Sequence, residues 1–354
     1  MMTPQTITIG SRRIGPGEPV YIVAEMSANH NQDYEQALAI IRAAAEAGAD
    51  AVKLQTYTPD TLTIKCDQPW FRIGSGTIWE GRTLYDLYEE AATPWEWQPE
   101  LKREAERLGL ALFSSPFDEG AVSFLQQLDV PAYKVASFEI VDHALLRAIA
   151  RTGKPVIVST GMATFEEIDE AMRVLKESGA REIALLKCTS AYPARPEEMN
   201  LRTIPHLAST FAVPVGLSDH TLGITVPIAA VALGATLIEK HITLSRALPG
   251  PDAAFSLEPA EFAEMVRAVR DTEKALGTIS YAISEREAKS RIFRRSLFVV
   301  KDIQAGETFT EENVRSIRPG YGLHPRELPR VLGKVAARDL KRGTPLAAED
   351  VVAF

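Results

Sequence analysis

Short apolar runs recur along the chain, and each closes on residues able to do chemistry. They read VYIVAEMS (20–27), DAVKLQTY (50–57), LALFSSPF (110–117), AYKVAS (132–137), PVIVSTG (155–161), IALLKCTSAYP (183–193), PVGLSDH (214–220) and TLIEKHIT (236–243). Their interiors are apolar throughout rather than alternating, which is the pattern of strands buried on both faces. Between them the period changes. YEQALAIIRAAAEAGA (34–49) has apolar residues at i, i+3 and i+4 and Gly48 near its end, so it is predicted as a helix. Further helices are predicted over 94–108, 117–128, 143–152, 165–178, 196–211, 225–233 and 259–276. Eight strand–helix pairs in about 250 residues predict a closed (β/α)8 TIM barrel, an α/β fold with its active site on one rim.

Three stretches depart from that rhythm. Residues 6–19 alternate and carry Gly10 and Gly15–Pro16–Gly17, which predicts a β-hairpin ahead of the barrel. Residues 58–93 interrupt the second strand–helix pair. Trp70 and Trp79 lie inside this stretch and Trp95 and Trp97 at its edge, so all the tryptophans gather where a long loop would overhang the rim. After Gly277 a linker (278–291) leads to a small unit (292–354) with an internal repeat. KDIQAGETFTEENV (301–314) aligns with RDLKRGTPLAAEDV (338–351), matching Gly306 to Gly343 and Phe309 to Leu346. A pseudo-symmetric β domain is expected there, and residues 1–277 are expected to hold the hairpin and the catalytic barrel.

Composition narrows the class. A chain of 354 residues can bury a full core and form two domains. The net charge of −8, with no long Lys/Arg run, argues against nucleic-acid binding. A local lysine cluster would still serve a small anion. Cys66 and Cys188 lack metal-type spacing, so no disulfide framework is expected and a reducing cytoplasm fits. MMTPQTITIGSRRIG has no signal-peptide apolar core, and no run approaches the ~20 apolar residues of a membrane span.

His220 and His241 end the seventh and eighth runs. Adjacent parallel strands would bring them about 5 Å apart, close enough to share a divalent metal completed by carboxylates and water. Glu25 ends the first run inside the barrel, either as a base or holder of metal-bound water, or as an ion-pair partner of Lys53. Lys53, Lys134 and Lys187 lie within strands, and inward lysines need an anion such as phosphate. Ser115, Ser137, Ser159 and Ser218 sit at the same rim as hydroxyl donors. Lys240 alternates away from His241 and is read as structural; Cys188 is read as a small buried residue. Gly74, Gly76 and Gly81 neither follow a strand nor open a helix, which argues against a dinucleotide fingerprint. The sum is a metal beside a phosphate site. A carbonyl attacked by a phosphorylated enol and metal-dependent phosphate hydrolysis would both use it.

AEMSANHNQD (24–33), VKLQTY, KVAS-E (134–139), STGMA (159–163), CTSAYP (188–193), GLSDHT and EKHIT resemble the sialic acid synthase family. FRRSL (293–297) and RPGYGL (318–323) resemble the antifreeze-like (SAF, β-clip) domain fused to those barrels. The resemblance implies condensation of phosphoenolpyruvate with an N-acetylated aldose to a nine-carbon 2-keto acid and phosphate. It implies a manganese or magnesium ion on His220 and His241, with Glu25 beside it through water. Lys53, Ser115, Lys134, Ser137, Ser159, Ser190 and Ser218 would hold phosphoenolpyruvate. Gln55, Glu139, Tyr192 and Asp252 would lie near the sugar, with Glu25 or Glu139 managing protons. Family members are homodimers with swapped C-terminal domains, so Arg318 would reach the sugar in the partner's barrel and Phe293 would help close it. Within the family, AEMSANHNQ, WEGRTLYDLYEEA (79–91) and RPGYGL resemble the branch that forms pseudaminic acid. Sialic acid synthases more often read AEIG-NHNG and RPGNG, and carry Asn where this chain has Ser190. The acceptor implied is a 2,4-diacetamido-2,4,6-trideoxy altrose, whose apolar character suits Tyr321 and the Trp-rich stretch. N-acetylneuraminate and legionaminate synthases are the alternatives.

Overall fold

The computed structural model describes residues 5–354, in two compact units divided after Gly277. In the first, β1 (Ile7–Ile9) and β2 (Arg12–Ile14) form the expected hairpin. Eight parallel strands then close a barrel: β3 (Tyr21–Glu25), β4 (Ala51–Thr56), β5 (Ala111–Pro116), β6 (Tyr133–Val135), β7 (Val156–Ser159), β8 (Ile183–Cys188), β9 (Val215–Asp219) and β10 (Leu237–His241). They follow one another in chain order, and β10 pairs back onto β3. The predicted (β/α)8 barrel is therefore the fold of this unit.

Eight helices cover the strands: α1 (Tyr34–Glu46), α4 (Gln98–Arg107), α5 (Glu119–Gln127), α6 (His143–Arg151), α7 (Phe165–Glu177), α8 (Thr203–Phe211), α9 (Thr225–Ala232) and α10 (Pro259–Leu276). Side chains that accept from exposed first-turn amides start several of them: Asp33 on α1, Asp118 on α5, Asp142 on α6 and Thr164 on α7. Two helices begin later than their periodicity predicts. The stretch before α4 is a 3-10 turn at Trp95–Trp97, and Asn200, at φ 46°, breaks the path between the 3-10 turn Pro196–Glu198 and α8. The hairpin buries Ile7, Ile9 and Ile14 against the barrel core. Asp50 ties down that end, accepting from Arg12, Arg270 and the Ile22 amide.

The stretch between β4 and α4 is not one open loop. It contains α2 (Pro59–Leu62), α3 (Leu84–Ala91) and a two-residue bridge, Arg72 with Thr83. The Trp95 indole N–H donates to the Tyr57 carbonyl, and Trp97 packs edge-on against His30 and Tyr34. Trp70, in contrast, is exposed.

The second unit opens with α11 (Glu285–Ser290) inside the stretch read as linker. It continues with β11 (Ser296–Val299), antiparallel to β12 (Val314–Ile317), and α12 (Leu328–Val331). The internal repeat is a structural pseudo-dyad. Ile303 and Leu340, equivalent positions, exchange both backbone hydrogen bonds across it. Asp302 accepts from the Arg342 amide, and its equivalent, Asp339, accepts from the Ala305 amide. Each copy thus caps the other's turn, and Phe309 and Leu346 meet in a shared core.

Candidate active site

Strand register decides which rim residues share the barrel interior. Glu25 lies between Lys53 on β4 and His241 on β10; Ser218 lies between Cys188 on β8 and Glu239 on β10. These inward residues form the charged centre. Lys53 Nζ sits 3.0 Å from Glu25 Oε2, 3.4 Å from Glu239 Oε1 and 3.5 Å from Ser115 Oγ. Lys134 Nζ donates to Ser159 Oγ at 2.7 Å and lies 3.7 Å from Glu239 Oε1. Ser218 Oγ donates to the same Glu239 oxygen at 3.0 Å. Two lysines and two glutamates, all buried, make up this centre. Such a cluster is costly to desolvate, so it is weak as a stabilising device and points to function.

The two carboxylates differ. Burial raises Glu25 to about 7, against the pull of Lys53. Burial acts on Glu239 too, but Lys134 and Lys53 together outweigh it and hold it below the usual carboxylate range. Glu239 is the main residue that sequence reading missed. Its signal was its parity: it precedes His241 by two positions on one strand, so it shares the inward face. Lys187 is the converse. Its place in the run predicts an inward lysine, but it pairs with Leu217 while its neighbour Cys188 pairs with Ser218. It therefore points out of the barrel, where Nζ bonds Thr189 Oγ1. Lys240 also faces outward, in a fully buried pair with Asp219 at 2.5 Å.

Two hydroxyls from the segments that follow β6 and β8 meet. Ser137 Oγ and Ser190 Oγ lie 2.8 Å apart. Gly161, at φ +39°, packs so closely that a Cβ there would fall 2.3 Å from Ser137 Cβ and 2.7 Å from Ser190 Oγ. Only glycine lets the backbone approach these hydroxyls.

His220 and His241 stand with ring centroids 5.4 Å apart. His220 Nδ1 lies 3.0 Å from the Thr189 carbonyl; a hydrogen bond there fixes the tautomer that leaves Nε2 with a free lone pair. His241 Nδ1 is buried without a hydrogen-bond partner and 4.0 Å from Asp252 Oδ2. Burial, then the nearby His220 and Lys53, hold His241 far below its usual pKa and so neutral, as a ligand requires. Among the described residues no three His, Cys, Asp or Glu groups are grouped to hold an ion. The two imidazoles supply one ligand fewer than the three usual in an open catalytic site, so an ion held here would take its remaining ligands from water or substrate. Cys188 is buried with Sγ 3.9 Å from His220 Nδ1.

The opposite side of the mouth is polar and aromatic. Gln55 Nε2 donates to Glu25 Oε1 and Ser27 Oγ, both at 2.9 Å, and Ser27 Oγ donates to Asp252 Oδ2 at 2.5 Å. Tyr192 packs 4.4 Å from the His220 ring, and Trp79 lies 5.5 Å beyond it, its indole N–H donating to the Pro251 carbonyl. Glu139 follows β6 on a 3-10 turn. Its Oε2 is buried without a partner, and burial lifts it to about 7 although Lys134 pulls the other way. Phe293 and Arg318 belong to the second unit, where both are exposed.

Ammonium groups, hydroxyls and a pair of imidazoles converge on the rim of a parallel barrel where such folds carry their chemistry, and they mark this end as an enzyme active site. The chain belongs to the NeuB family, whose model matches residues 40–281; the SAF domain model matches residues 294–352. It is 48% identical to a pseudaminic acid synthase of Campylobacter jejuni, over 94% of this chain and 96% of that protein. It is 47% identical to a pseudaminic acid synthase of Helicobacter pylori, over 94% of this chain and 98% of that one. The crystal structure of an N-acetylneuraminic acid synthetase from Leptospira borgpetersenii, in complex with citrate, superposes with a TM-score of 0.73. That match is at 33% identity and covers 82% of this chain and 96% of the other.

Proposed function

We propose that this chain is a pseudaminic acid synthase, condensing phosphoenolpyruvate with 2,4-diacetamido-2,4,6-trideoxy-β-L-altropyranose and water to give pseudaminic acid and phosphate. The observation that carries the reading is the placing of Lys53, Lys134 and the serine cradle next to the imidazole pair. An enol phosphate and a carbonyl can be held there within reach of each other. Lys134, Ser137, Ser159 and Ser190 hold the phosphate, and Lys53, Ser115 and Ser218 complete the phosphoenolpyruvate site. Lys53 and Lys134 stabilise negative charge on the phosphate as it departs, in a site where water is scarce. Glu239 lies against both ammonium groups and favours their charged forms, opposing the burial that lowers Lys134.

Gln55, Tyr192 and Asp252 orient the acceptor sugar in its open-chain form. C3 of phosphoenolpyruvate attacks the aldehyde, water adds at C2, and the adduct expels phosphate by C–O cleavage. Glu139, poised near neutrality, and Glu25, raised to about 7, are the groups able to hold and release protons at working pH. His220 and His241 would hold manganese or magnesium, which when bound supplies Lewis-acid polarisation of the aldehyde. The direct test mixes purified protein, manganese, phosphoenolpyruvate and a panel of acceptor sugars and follows phosphate. Release is expected with the diacetamido altrose and not with N-acetylmannosamine. Equal turnover of both would overturn the assignment to this branch, and release without any sugar would indicate a phosphohydrolase.

The proposal includes a homodimer that exchanges C-terminal units and so brings Phe293 and Arg318 to the acceptor. Exposed apolar side chains support a partner: Phe138 and Met162 near the barrel rim, and Ile279, Tyr281, Phe293 and Tyr321 in the second unit. Mixing Arg318→Ala with Glu25→Ala should restore activity through heterodimers; no recovery after subunit exchange would count against it. A cytoplasmic site of action is part of the proposal, supported by phosphoenolpyruvate as co-substrate and by two unbridged cysteines. Among the described residues no helix is long and apolar enough to cross a membrane.

A further inference from the structure

Ser27 follows β3 by two residues and takes φ 45°, a left-handed conformation that disfavours any side chain. Asn31 and Gln32 in the same turn share it, at φ 50° and 56°. Non-glycine residues persist there only when the surroundings hold them, and they concentrate at functional sites. The Ser27 side chain is buried and wholly engaged at the mouth: it accepts from Gln55 Nε2 and donates to Asp252 Oδ2.

These bonds are not needed to join the two loops. Asn29 Nδ2 already donates to the Ile242 carbonyl and Ser256 Oγ, and Ser256 Oγ in turn donates to the Asp252 carbonyl. Asn31 packs against Gly250 so closely that a Cβ on that glycine would come 2.5 Å from Asn31 Oδ1. The backbone frame is thus set by Asn29, Asn31 and Ser256. What remains for Ser27 is the orientation of two side chains, one from β4 and one from the loop after β10. Without its hydroxyl, Asp252 loses its side-chain donor and the Gln55 amide keeps only Glu25.

We infer that Ser27 is a positioning residue for the acceptor sugar: its hydroxyl, carried on a left-handed backbone, fixes the side chains of Gln55 and Asp252 in the geometry that binds the sugar. This rests on the proposed condensation, in which those two residues face the acceptor. It separates the two substrates, because Ser27 bonds directly to none of the phosphoenolpyruvate groups and reaches Lys53 only through Gln55 and Glu25. Orientation lost at Ser27 falls on acceptor binding far more than on the phosphoenolpyruvate side.

Two variants divide the hydroxyl from the backbone. Ser27→Ala removes the hydroxyl and keeps the left-handed penalty; Ser27→Gly removes both. Steady-state phosphate release should show the acceptor KM raised about tenfold or more in both variants, the loss expected of a hydrogen bond to a charged group. The phosphoenolpyruvate KM should stay within about twofold, and thermal melting should show Ser27→Gly no less stable than Ser27→Ala. A merely structural residue predicts another pattern, in which the acceptor KM follows the melting temperature and rises only in Ser27→Ala. That pattern, or an unchanged acceptor KM in both variants, or equal loss for both substrates, would overturn the inference. A wild-type enzyme that releases no phosphate with any acetamido sugar would overturn the functional reading itself, and this one with it.

Discussion

Replacing Glu139 by Gln should stabilise the barrel, and by an amount that grows with pH. The carboxyl is lifted from 4.5 to about 7 because burial penalises its ionised form more than Lys134 compensates, and Oε2 has no hydrogen-bond partner. A raised carboxyl pKa means that the folded chain binds this proton more tightly than the unfolded chain. Its contribution is therefore fully present below pH 4.5 and is lost as pH rises through 7. At about 1.36 kcal/mol per unit, a shift of this size corresponds to about 3 kcal/mol at the plateau. The side chain is not fully enclosed, so about 2 kcal/mol is the working expectation. Glutamine has nearly the same shape and cannot ionise, so groups common to both proteins, Glu25 included, cancel in the comparison. Urea unfolding of both proteins from pH 5 to 8.5, followed by tryptophan fluorescence, measures it. All four tryptophans lie before Gly277, so the signal reports the barrel unit alone. The advantage of Glu139→Gln should be small at pH 5, rise towards pH 7 and level off above it. A difference that is flat, or that shrinks with rising pH, would refute the assignment of a buried, elevated carboxyl. The same substitution should remove only the limb of the kcat–pH profile that Glu139 contributes; a limb near pH 7 that persists belongs to Glu25, which burial also raises to about 7.

Gly161→Ala should raise the phosphoenolpyruvate KM sharply and cost about 1–3 kcal/mol, since the added Cβ must displace Ser137 and Ser190; an unchanged KM would argue against the cradle. Lys240→Met should cost about 3 kcal/mol or more by removing the cation beside buried Asp219, and adding Asp219→Leu should recover part of it, since the bonds Asp219 accepts from the Thr221 amide and hydroxyl are lost as well; thermal melting reads both. His220→Ala should abolish calorimetric manganese binding while leaving the fold's circular dichroism intact; retained affinity would reject the ligand pair.

How much of this was legible beforehand differs by element. The strands were visible because parallel barrel strands are buried on both faces and read as unbroken apolar runs. That same uniformity hides parity. Nothing in IALLKC distinguishes Lys187 from Cys188, and only pairing with β9 shows that the cysteine looks inward and the lysine outward. Where a run carries two chemical residues two apart, as Glu239 and His241 do, alternation is enough to put both on one face. The helix from residue 196 began late because a left-handed Asn200, which periodicity does not register, lies in its path.

Local sequence therefore determined what depends on near neighbours: the period of each segment, the caps, the turns, and the pseudo-repeat whose two copies cap one another. It also assembled the list of groups at the rim, since each strand ends in its own chemistry. Tertiary structure decided what depends on distance through space. Closure of β10 on β3 set Glu239 between Lys53 and Lys134 and brought Asp252, 225 residues away, to Ser27, while pairing of β10 with β9 put His241 beside His220 and pairing of β4 with β3 put Gln55 beside Ser27. Charge coupling and desolvation act across those contacts, so the unequal acidities of Glu25 and Glu239 arise only in the closed barrel.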